Sequence, residues 1–375
     1  MIPDFDRNVY CLFGLPFDAL GMDSAVRALR DAALNRKPCF LSTPNLNFVI
    51  AAQTDPAFRD SVLHSDLNVA DGMPLVWVAR LLRIPLPERV AGSGLFERLR
   101  EAAGRPIEVF FFGAPDGVAG RACERLNAVT SGLHCAGFDA PGFGSVEEMS
   151  GDERIARINA SGAEFVVVSL GARKGQAWIE RNRARLQAPL VSHLGAVVNF
   201  VAGTVSRAPS WMQRSGLEWL WRIKEEPGLW RRYAGDAIAF VRLLFTQVLP
   251  HAAHVRRRAP TGEQLARAHI ETRRSVQGVE IDLRGAWAAG NVAPLRAALA
   301  DAAASQGGVH IDLGDVTHID AAVVALLGLL RAHCVRIGRG FRVDPVAPVV
   351  RRVLGYCGAG YLLEASATAV EEAAC

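Results

Sequence analysis

Short apolar runs alternate with helical patterns through the first half of the chain, from Val9 to about Val201. This alternation is typical of an α/β domain with a mainly parallel sheet, because a helix must return the chain between two parallel strands. Ligands bind beyond the carboxyl ends of the strands in such sheets. The predicted strands are Val9–Phe13, Cys39–Thr43, Leu67–Ala70, Val109–Phe112, Leu133–Phe138, Phe165–Leu170 and Leu190–Leu194.

A second, smaller α/β pattern begins at Val276. It predicts strands at Val279–Leu283, Val309–Leu313 and Phe341–Asp344, and helices at Val292–Ala304, Asp320–His333 and Pro348–Tyr356. Residues 251–275, between the two patterns, are polar, basic and interrupted by proline, which is typical of a linker. We therefore predict a domain at 1–250, a linker at 251–275 and a domain at 276–375.

The composition bounds the class of protein. Hydrophobic residues make up 50% and charged residues 21% of the chain, which indicates a globular protein. No secretion signal opens the sequence, and the longest apolar run, Ala237–Leu249, is short for a membrane span and contains Arg242. The seven cysteines show no CxxC or metal-ligand spacing, so we expect reduced thiols. These features predict a cytoplasmic protein, soluble or peripheral to a membrane.

The segment Arg207–Arg232 combines four of the seven tryptophans with six Lys or Arg residues. Tryptophan with guanidinium groups suits a surface that touches lipid headgroups and phosphate; an amphipathic helix with tryptophans in the core is the alternative. Between residues 207 and 258, ten basic residues face four acidic ones, so this segment holds all the excess positive charge. No nucleic-acid-binding motif accompanies it, and an anionic membrane or a pyrophosphate fits the tryptophans better.

Two polar turns follow predicted strands at the expected ligand-binding edge. Asp71 is the candidate general base, because a carboxylate there can take a proton from an attacking hydroxyl group. Capping of a helix that begins at Pro74 is its alternative role. Thr43 and Asn45 have the groups to bind a sugar or a phosphate, or to cap a helix that begins near Asn47.

Two further features have the chemistry for phosphate binding. The turn Gly113–Gly117 joins a strand to a helix, where glycine allows a diphosphate to approach the backbone, although the spacing matches neither GxGxxG nor a P-loop. The guanidinium group of Arg89 matches phosphate geometry, but a plain surface position is equally compatible with the sequence.

The motifs LSTPNLNFV, VADGMPLVW, RVAGSGLF, FFGAPDGVA, VVSLGARKGQAWI and GTVSRAPSWMQRSGLEWLWRI, in this order, closely resemble the WecG/TagA/CpsF glycosyltransferases. The resemblance covers about Val9 to Leu249 and implies a Rossmann-like domain with a basic helical appendage at about 205–250. It also implies inverting, metal-independent transfer of a sugar from a UDP-sugar to a lipid-diphosphate-linked saccharide. That acceptor would be a polyprenyl-diphosphate saccharide at the inner face of the cell membrane, used for cell-surface polysaccharides.

The resemblance also implies roles for individual residues. Asp71 matches the proposed catalytic base, Thr43 and Asn45 match active-site residues, and Arg89 matches the arginine of the RvaG motif. Arg222 and Arg232 match basic residues of the appendage, which is thought to close over the site and to engage membrane and diphosphate. The remaining predicted contacts are Arg207 and Gly113 to substrate, and Trp219, Trp221, Trp230 and Arg231 to membrane.

This chain departs from the family pattern at two places. The family pattern G-x-P-K-Q-E-x-W is GARKGQAW here, so Gly175 replaces the glutamine and a substrate-binding glutamine is absent or shifted to Gln176. Leu229 stands where a further appendage arginine is usual. The alternative function is therefore a weakly active or inactive family member that serves as a membrane-associated scaffold.

The stretch VHIDLGDVTHIDAAVVALLGLL resembles the strand–loop–helix motif of STAS domains. Regulatory STAS proteins carry a phosphorylatable serine after the aspartate, whereas Asp320 is followed here by Ala321 and Ala322, so that site has no hydroxyl group. We interpret the domain as a module for docking a protein partner or for self-association. A passive stabilising domain is the alternative.

Overall fold

The computed structural model describes residues 2–209, 211–212, 216–225 and 227–364. Within this part of the chain, six parallel strands form the larger sheet, in the order β4-β3-β8-β7-β5-β6. The predicted Rossmann-like architecture is therefore confirmed. The strands are β3 Cys39–Ser42, β4 Leu67–Asn68, β5 Ile107–Gly113, β6 Leu133–Asp139, β7 Phe165–Ser169 and β8 Leu190–His193.

Helices cover both faces of this sheet, because its central strands are apolar throughout and bury both sets of alternate side chains. In β5, for example, Val109 and Phe111 belong to one core and Phe110 and Phe112 to the other. The helices are α1 Met22–Leu34, α2 Leu46–Thr54, α3 Pro56–Leu63, α4 Met73–Leu81, α5 Gly92–Glu101, α6 Val118–Asn127, α7 Asp152–Ala160, α8 Ala172–Asn182 and α9 Val197–Ala202.

The first predicted strand does not join this sheet, which corrects our expectation. β1 (Val9–Leu12) pairs instead with β2 (Leu15–Asp18) in a separate antiparallel hairpin. Its turn is the pair Phe13-Gly14, and both residues have positive φ, at 53° and 82°. Two-residue turns of this kind match the twist of paired strands, so the chain reverses at once rather than crossing over.

The appendage is helical. α10 (Glu218–Glu225) precedes a short 3₁₀ turn, and a continuous helix then runs to residue 257 as α11 (Trp230–Leu243), a π-helical turn (Leu244–Val248) and α12 (Leu249–Arg257). Residues 227–257 form a helix long and apolar enough to cross a membrane by length and composition alone, although only about a quarter of its most apolar stretch is buried. The apolar helix is therefore longer than the run seen in the sequence.

The second domain is α/β, as predicted, and its sheet contains both parallel and antiparallel pairs. Within the described residues, its strand order is β12-β10-β11-β13, and β9 pairs antiparallel with β10. Our strand predictions missed β9 and β12, and residues 365–375 of the predicted domain lie outside the described residues. The elements are α13 Gly262–Ala266, β9 His269–Ser275, β10 Gly278–Trp287, α14 Ala293–Ala304, β11 Gly308–Leu313, β12 Val316–Ile319, α15 Ala321–Arg336, β13 Phe341–Val346 and α16 Pro348–Tyr356.

Two further expectations are wrong in part. The predicted linker at 251–275 consists largely of α12, α13 and β9. The sequence does not indicate β9, because this strand is at an exposed edge and its polar side chains give no apolar alternation. Cys123 and Cys135 form a disulfide rather than free thiols, because α6 and β6 bring their Cα atoms to 5.2 Å.

Candidate active site

Asp71 lies at the carboxyl end of the parallel sheet, where the chain leaves β4. Its backbone N–H donates to the carbonyl of Pro44 at 2.9 Å, so the segment after β4 runs beside the turn after β3. That turn carries Thr43 and Asn45. The structure therefore brings together the three polar residues that the sequence placed at this edge.

The alternative role of Asp71 as the cap of α4 is wrong. α4 begins at Met73, and within the described chain no side chain caps it. Asp71 Oδ2 accepts instead from the backbone N–H of Gly92, the first residue of α5, at 3.3 Å. The carboxylate is thus held at the positive end of α5, which favours a negative charge.

Arg89 connects Asp71 to the appendage. Its Nε and Nη2 atoms donate to Asp71 Oδ1 at 3.3 and 3.2 Å, and Nη2 also donates to Glu218 Oε2 at 2.6 Å. All three side chains are mostly buried. The sequence analysis missed Glu218. This residue lies in the specific motif GLEWLWR, but only the aromatic and basic residues of that motif indicated a function.

The surroundings of Asp71 raise its pKa above the usual value for aspartate. Burial is the largest cause, and the like charge of Glu218 adds to it, while Arg89 and the N–H of Gly92 act in the opposite direction. A carboxylate with a raised pKa accepts a proton more readily than an exposed one. Buried carboxylates whose pKa is shifted by a specific charged partner are often found at functional sites.

Thr43 and Asn45, the polar residues of the turn after β3, both have contacts within the fold. Asn45 caps α2, because its Oδ1 accepts from the N–H of Phe48 at 3.2 Å, and this leaves its amide nitrogen for other partners. Thr43 is buried beside the start of α5, where a Cβ on Gly92 would lie 3.2 Å from its Oγ1 and 2.7 Å from Leu194 Cδ2. A larger residue at position 92 would therefore require the side chain of Leu194 to move.

Gly113, which we predicted to contact substrate, has a structural role between two strands. Its φ is 96°, a Cβ there would lie 2.6 Å from the carbonyl oxygen of Ser169, and the N–H of Ala114 already donates to that oxygen at 2.8 Å. The glycine therefore permits close contact between β5 and β7. Backbone donors for a diphosphate must come from the later part of the turn, next to α6, which begins at Val118.

Gln176 does not lie on an accessible surface. It is 1% exposed, and its Nε2 donates to Ser42 Oγ at 2.8 Å, beneath the turn that carries Thr43. The family's glutamine position is Gly175 here, and a Cβ on this residue would lie 2.3 Å from the ring of His193. The imidazole thus occupies the space of the usual side chain, and our expectation that Gln176 contacts substrate conflicts with its burial.

Three appendage arginines are predicted to contact substrate, and two of them lie at the edge of the site. Arg207 donates to Ser93 Oγ at 3.2 Å in the first turn of α5, and the guanidinium groups of Arg207 and Arg222 each lie 5.8 Å from the ring centre of Phe200. Arg232 is on the next helix, over the ring of Tyr233 at 5.2 Å. Positive charge is therefore concentrated where α5 and the appendage meet.

The appendage also presents apolar groups to solvent. Trp219 and Trp230 are exposed, whereas Trp221 is half-buried and donates to the carbonyl of Ser206 at 3.1 Å. Arg231 lies over the ring of Trp230 at 5.7 Å. A further exposed stripe, which the sequence analysis missed, follows helical spacing along the long helix and consists of Ile238, Val241, Phe245 and Leu249.

Among the described residues, two of the cavities flank the sheet. A cleft of about 460 Å³ lies between α2 and the start of α8 and is lined by Asn47, Thr54, Gly171 and Lys174, among others. The larger cavity, of about 520 Å³, is bordered by Pro38 and Pro189 at the opposite ends of β3 and β8. Only the first of these cavities lies on the side where α/β sheets bind ligands.

Comparisons with known proteins agree with this geometry. The model of the glycosyl transferase WecG/TagA/CpsF family matches residues 10–254. The chain belongs to this family. It is a glycosyltransferase. Residues 270–364 match a second model, described as Mlab, STAS domain.

Two curated relatives illustrate the relationship. The chain is 31% identical over 197 residues to an N-acetylglucosaminyldiphosphoundecaprenol N-acetyl-beta-D-mannosaminyltransferase of Bacillus spizizenii, an alignment that covers 52% of this chain and 75% of the relative. It is 27% identical over 224 residues to the protein of the same name from Bacillus subtilis, with 59% and 85% covered. The two alignments cover 197 and 224 residues, which is less than the length of the two domains together.

Proposed function

We propose that the protein transfers a sugar, with inversion, from a UDP-sugar to a lipid-diphosphate-linked saccharide during synthesis of a cell-surface polymer. The observation that carries this proposal is the cluster of Asp71, Arg89 and Glu218 at the carboxyl end of the sheet. The names of the relatives support an N-acetylhexosamine donor, of which UDP-N-acetylmannosamine is the first to test. They also support an N-acetylglucosaminyl-diphospholipid acceptor.

Asp71 is the base in this proposal. It takes the proton of the acceptor hydroxyl group while that oxygen bonds to the anomeric carbon of the donor, and the bond from that carbon to UDP breaks on the opposite side. The raised pKa of Asp71 and its position at the start of α5 suit this role. Attack opposite the leaving group inverts the anomeric configuration.

The departing diphosphate requires positive charge fixed before the reaction. Arg89 is oriented by two carboxylates. Arg207 contacts the first turn of α5 through Ser93, and Arg222 lies with it beside the ring of Phe200. Groups that are already oriented lower the barrier without reorganisation, as in an oxyanion hole. The resemblance implies no metal, so we expect transfer to continue in the presence of EDTA.

We further propose that the enzyme binds the inner face of the membrane through its appendage. One side of the long helix packs on the protein through Leu243, Val248 and Ala252, whereas the opposite side carries the exposed apolar stripe. A helix with one side occupied suits an orientation along the membrane surface better than one across the bilayer. Exposed tryptophans and arginines at its start suit the headgroup region.

A transfer assay tests the activity. Wild-type protein, Asp71→Asn and a control, Asp23→Asn, are given UDP-sugars and a short-chain N-acetylglucosaminyl-diphospholipid. Asp23 is an exposed aspartate in the first turn of α1. We expect product from wild type and the control, and a loss of about 10²–10⁴-fold in turnover for Asp71→Asn. Equal turnover by Asp71→Asn would contradict the assignment of the base. No product from folded wild type with any donor would favour the scaffold.

A further inference from the structure

Helix α15 of the second domain is buried on all sides. Every side chain from Ala321 to Cys334 is buried, including those of Arg331 and His333. A helix that covers one sheet needs only one apolar stripe, so an apolar surface all around requires a second partner. That partner is the N-terminal hairpin, together with α3, in the catalytic domain of the same chain.

Strand β1 lies between the two domains and contributes side chains to both. Val9 and Cys11 belong to the core of the second domain, whereas Tyr10 and Leu12 belong to a core with the helices of the catalytic domain. Alternate residues of a strand point to opposite faces, which explains this division. The two domains therefore share one continuous apolar layer through the hairpin.

The turn of the hairpin fits the second domain closely. The N–H of Gly14 donates to the carbonyl of Cys357 at 2.6 Å, and the Tyr361 hydroxyl group donates to the carbonyl of Gly14 at 3.0 Å. A Cβ on Gly14 would lie 2.6 Å from the carbonyl oxygen of Gly358. The ring of Tyr361 is itself held by the guanidinium group of Arg59, 4.2 Å from its centre.

The same interface holds the far end of the appendage. Val248 and Ala252, from the end of the long helix, share a core with Ala321 and Ala322 at the start of α15. The imidazole of His251 stacks on Tyr356 of α16 at 6.0 Å. The appendage is thus packed on the second domain at one end, while its other end places Glu218 against Arg89.

We propose that the partner of the STAS domain is the catalytic domain of its own chain, and that this docking braces the appendage so that Glu218 and Arg222 stay at the active site. The proposal rests on the function proposed above. It also gives a reason for Ala321 and Ala322, since both are buried and a hydroxyl or phosphate group there would enter an apolar core.

Gly14→Ala tests the brace, with Gly338→Ala as the matched control. Both residues have positive φ, at 82° and 69°, but a Cβ on Gly338 meets no atom of the described residues within 4 Å. Reaction of the buried thiols Cys11 and Cys357 with a maleimide reports opening of the interface. Tyr361→Phe, which removes one hydrogen bond, is a milder second variant in case Gly14→Ala does not fold.

We expect Gly14→Ala to raise the maleimide rate and the amide exchange of α10, and to lower turnover about tenfold or more, because small misplacements of positioning groups have large effects. Gly338→Ala should change none of the three. Opening of the interface with unchanged turnover and unchanged exchange of α10 would overturn the brace. If wild type makes no product, the proposed function is wrong. The brace is then tested by whether the amide exchange of α10 rises in a variant whose interface opens.

Discussion

The substitution Glu218→Gln probes how the appendage acts on the candidate base. It keeps the size of the side chain and removes its charge, and the remaining amide oxygen can still accept from Arg89. Glu218 raises the pKa of Asp71, so its neutralisation lowers that pKa. Arg89 is then also less shared between two carboxylates, which shifts the pKa of Asp71 in the same direction.

The geometry sets the size of this shift. Asp71 and Glu218 both contact Arg89 Nη2, at 3.2 and 2.6 Å. The two oxygens are therefore within about 6 Å, where two unit charges repel by about 0.7 kcal/mol in water and about 2.8 kcal/mol at an effective dielectric constant of 20. Removal of this repulsion lowers the pKa of Asp71, because the charged form of the carboxylate is then less disfavoured.

The assay is the pH profile of kcat/KM for sugar transfer, whose acidic limb reports the base of the free enzyme. We expect the limb of Glu218→Gln to move to lower pH, because the charge that raises the pKa of Asp71 is removed. Glu225→Gln is the matched control, because Glu225 is on the same helix, is exposed and accepts from Ser206. An unmoved limb, or one moved to higher pH, in a folded Glu218→Gln would refute the coupling between appendage and base.

Two other substitutions test features that distinguish this chain. Gly175→Gln restores the family residue but places a side chain against the ring of His193, so we expect a lower melting temperature and a loss of about 1–3 kcal/mol in the free energy of unfolding. Unchanged stability would show that the imidazole moves aside at little cost. Val241→Asp with Phe245→Asp should abolish sedimentation with anionic liposomes, whereas Val276→Asp, at an exposed tip of the second domain, should not. Retained binding by the double variant would contradict the orientation proposed for the long helix.

Much of the architecture follows from local patterns that the sequence displays. The apolar runs of β5 and β7 are buried on both faces, so their composition alone identifies parallel strands. The turns after β3 and β4 likewise follow from the rule that ligands bind at the carboxyl ends of such strands. For these reasons Thr43, Asn45 and Asp71 were found together.

The remaining features depend on contacts between distant residues. β1 has the apolar composition of a parallel strand, and only the turn geometry of Phe13-Gly14 shows that it reverses into a hairpin. Glu218 gains its role from an arginine 129 positions away. The helical pattern around Gln176 is compatible with a buried or an exposed side chain. Its burial depends on the hydrogen bond to Ser42, which is distant in the sequence. No local pattern contains this information.

The shared strand has a consequence for synthesis of the chain on the ribosome. β1 is made first, whereas α15, which covers Val9 and Cys11, begins at Ala321. At typical elongation rates the roughly 300 intervening residues take about 15–60 s, during which one face of the hairpin has no native cover. Chaperone holding during translation, and aggregation of chains cut before α15, are therefore expected costs of this domain order.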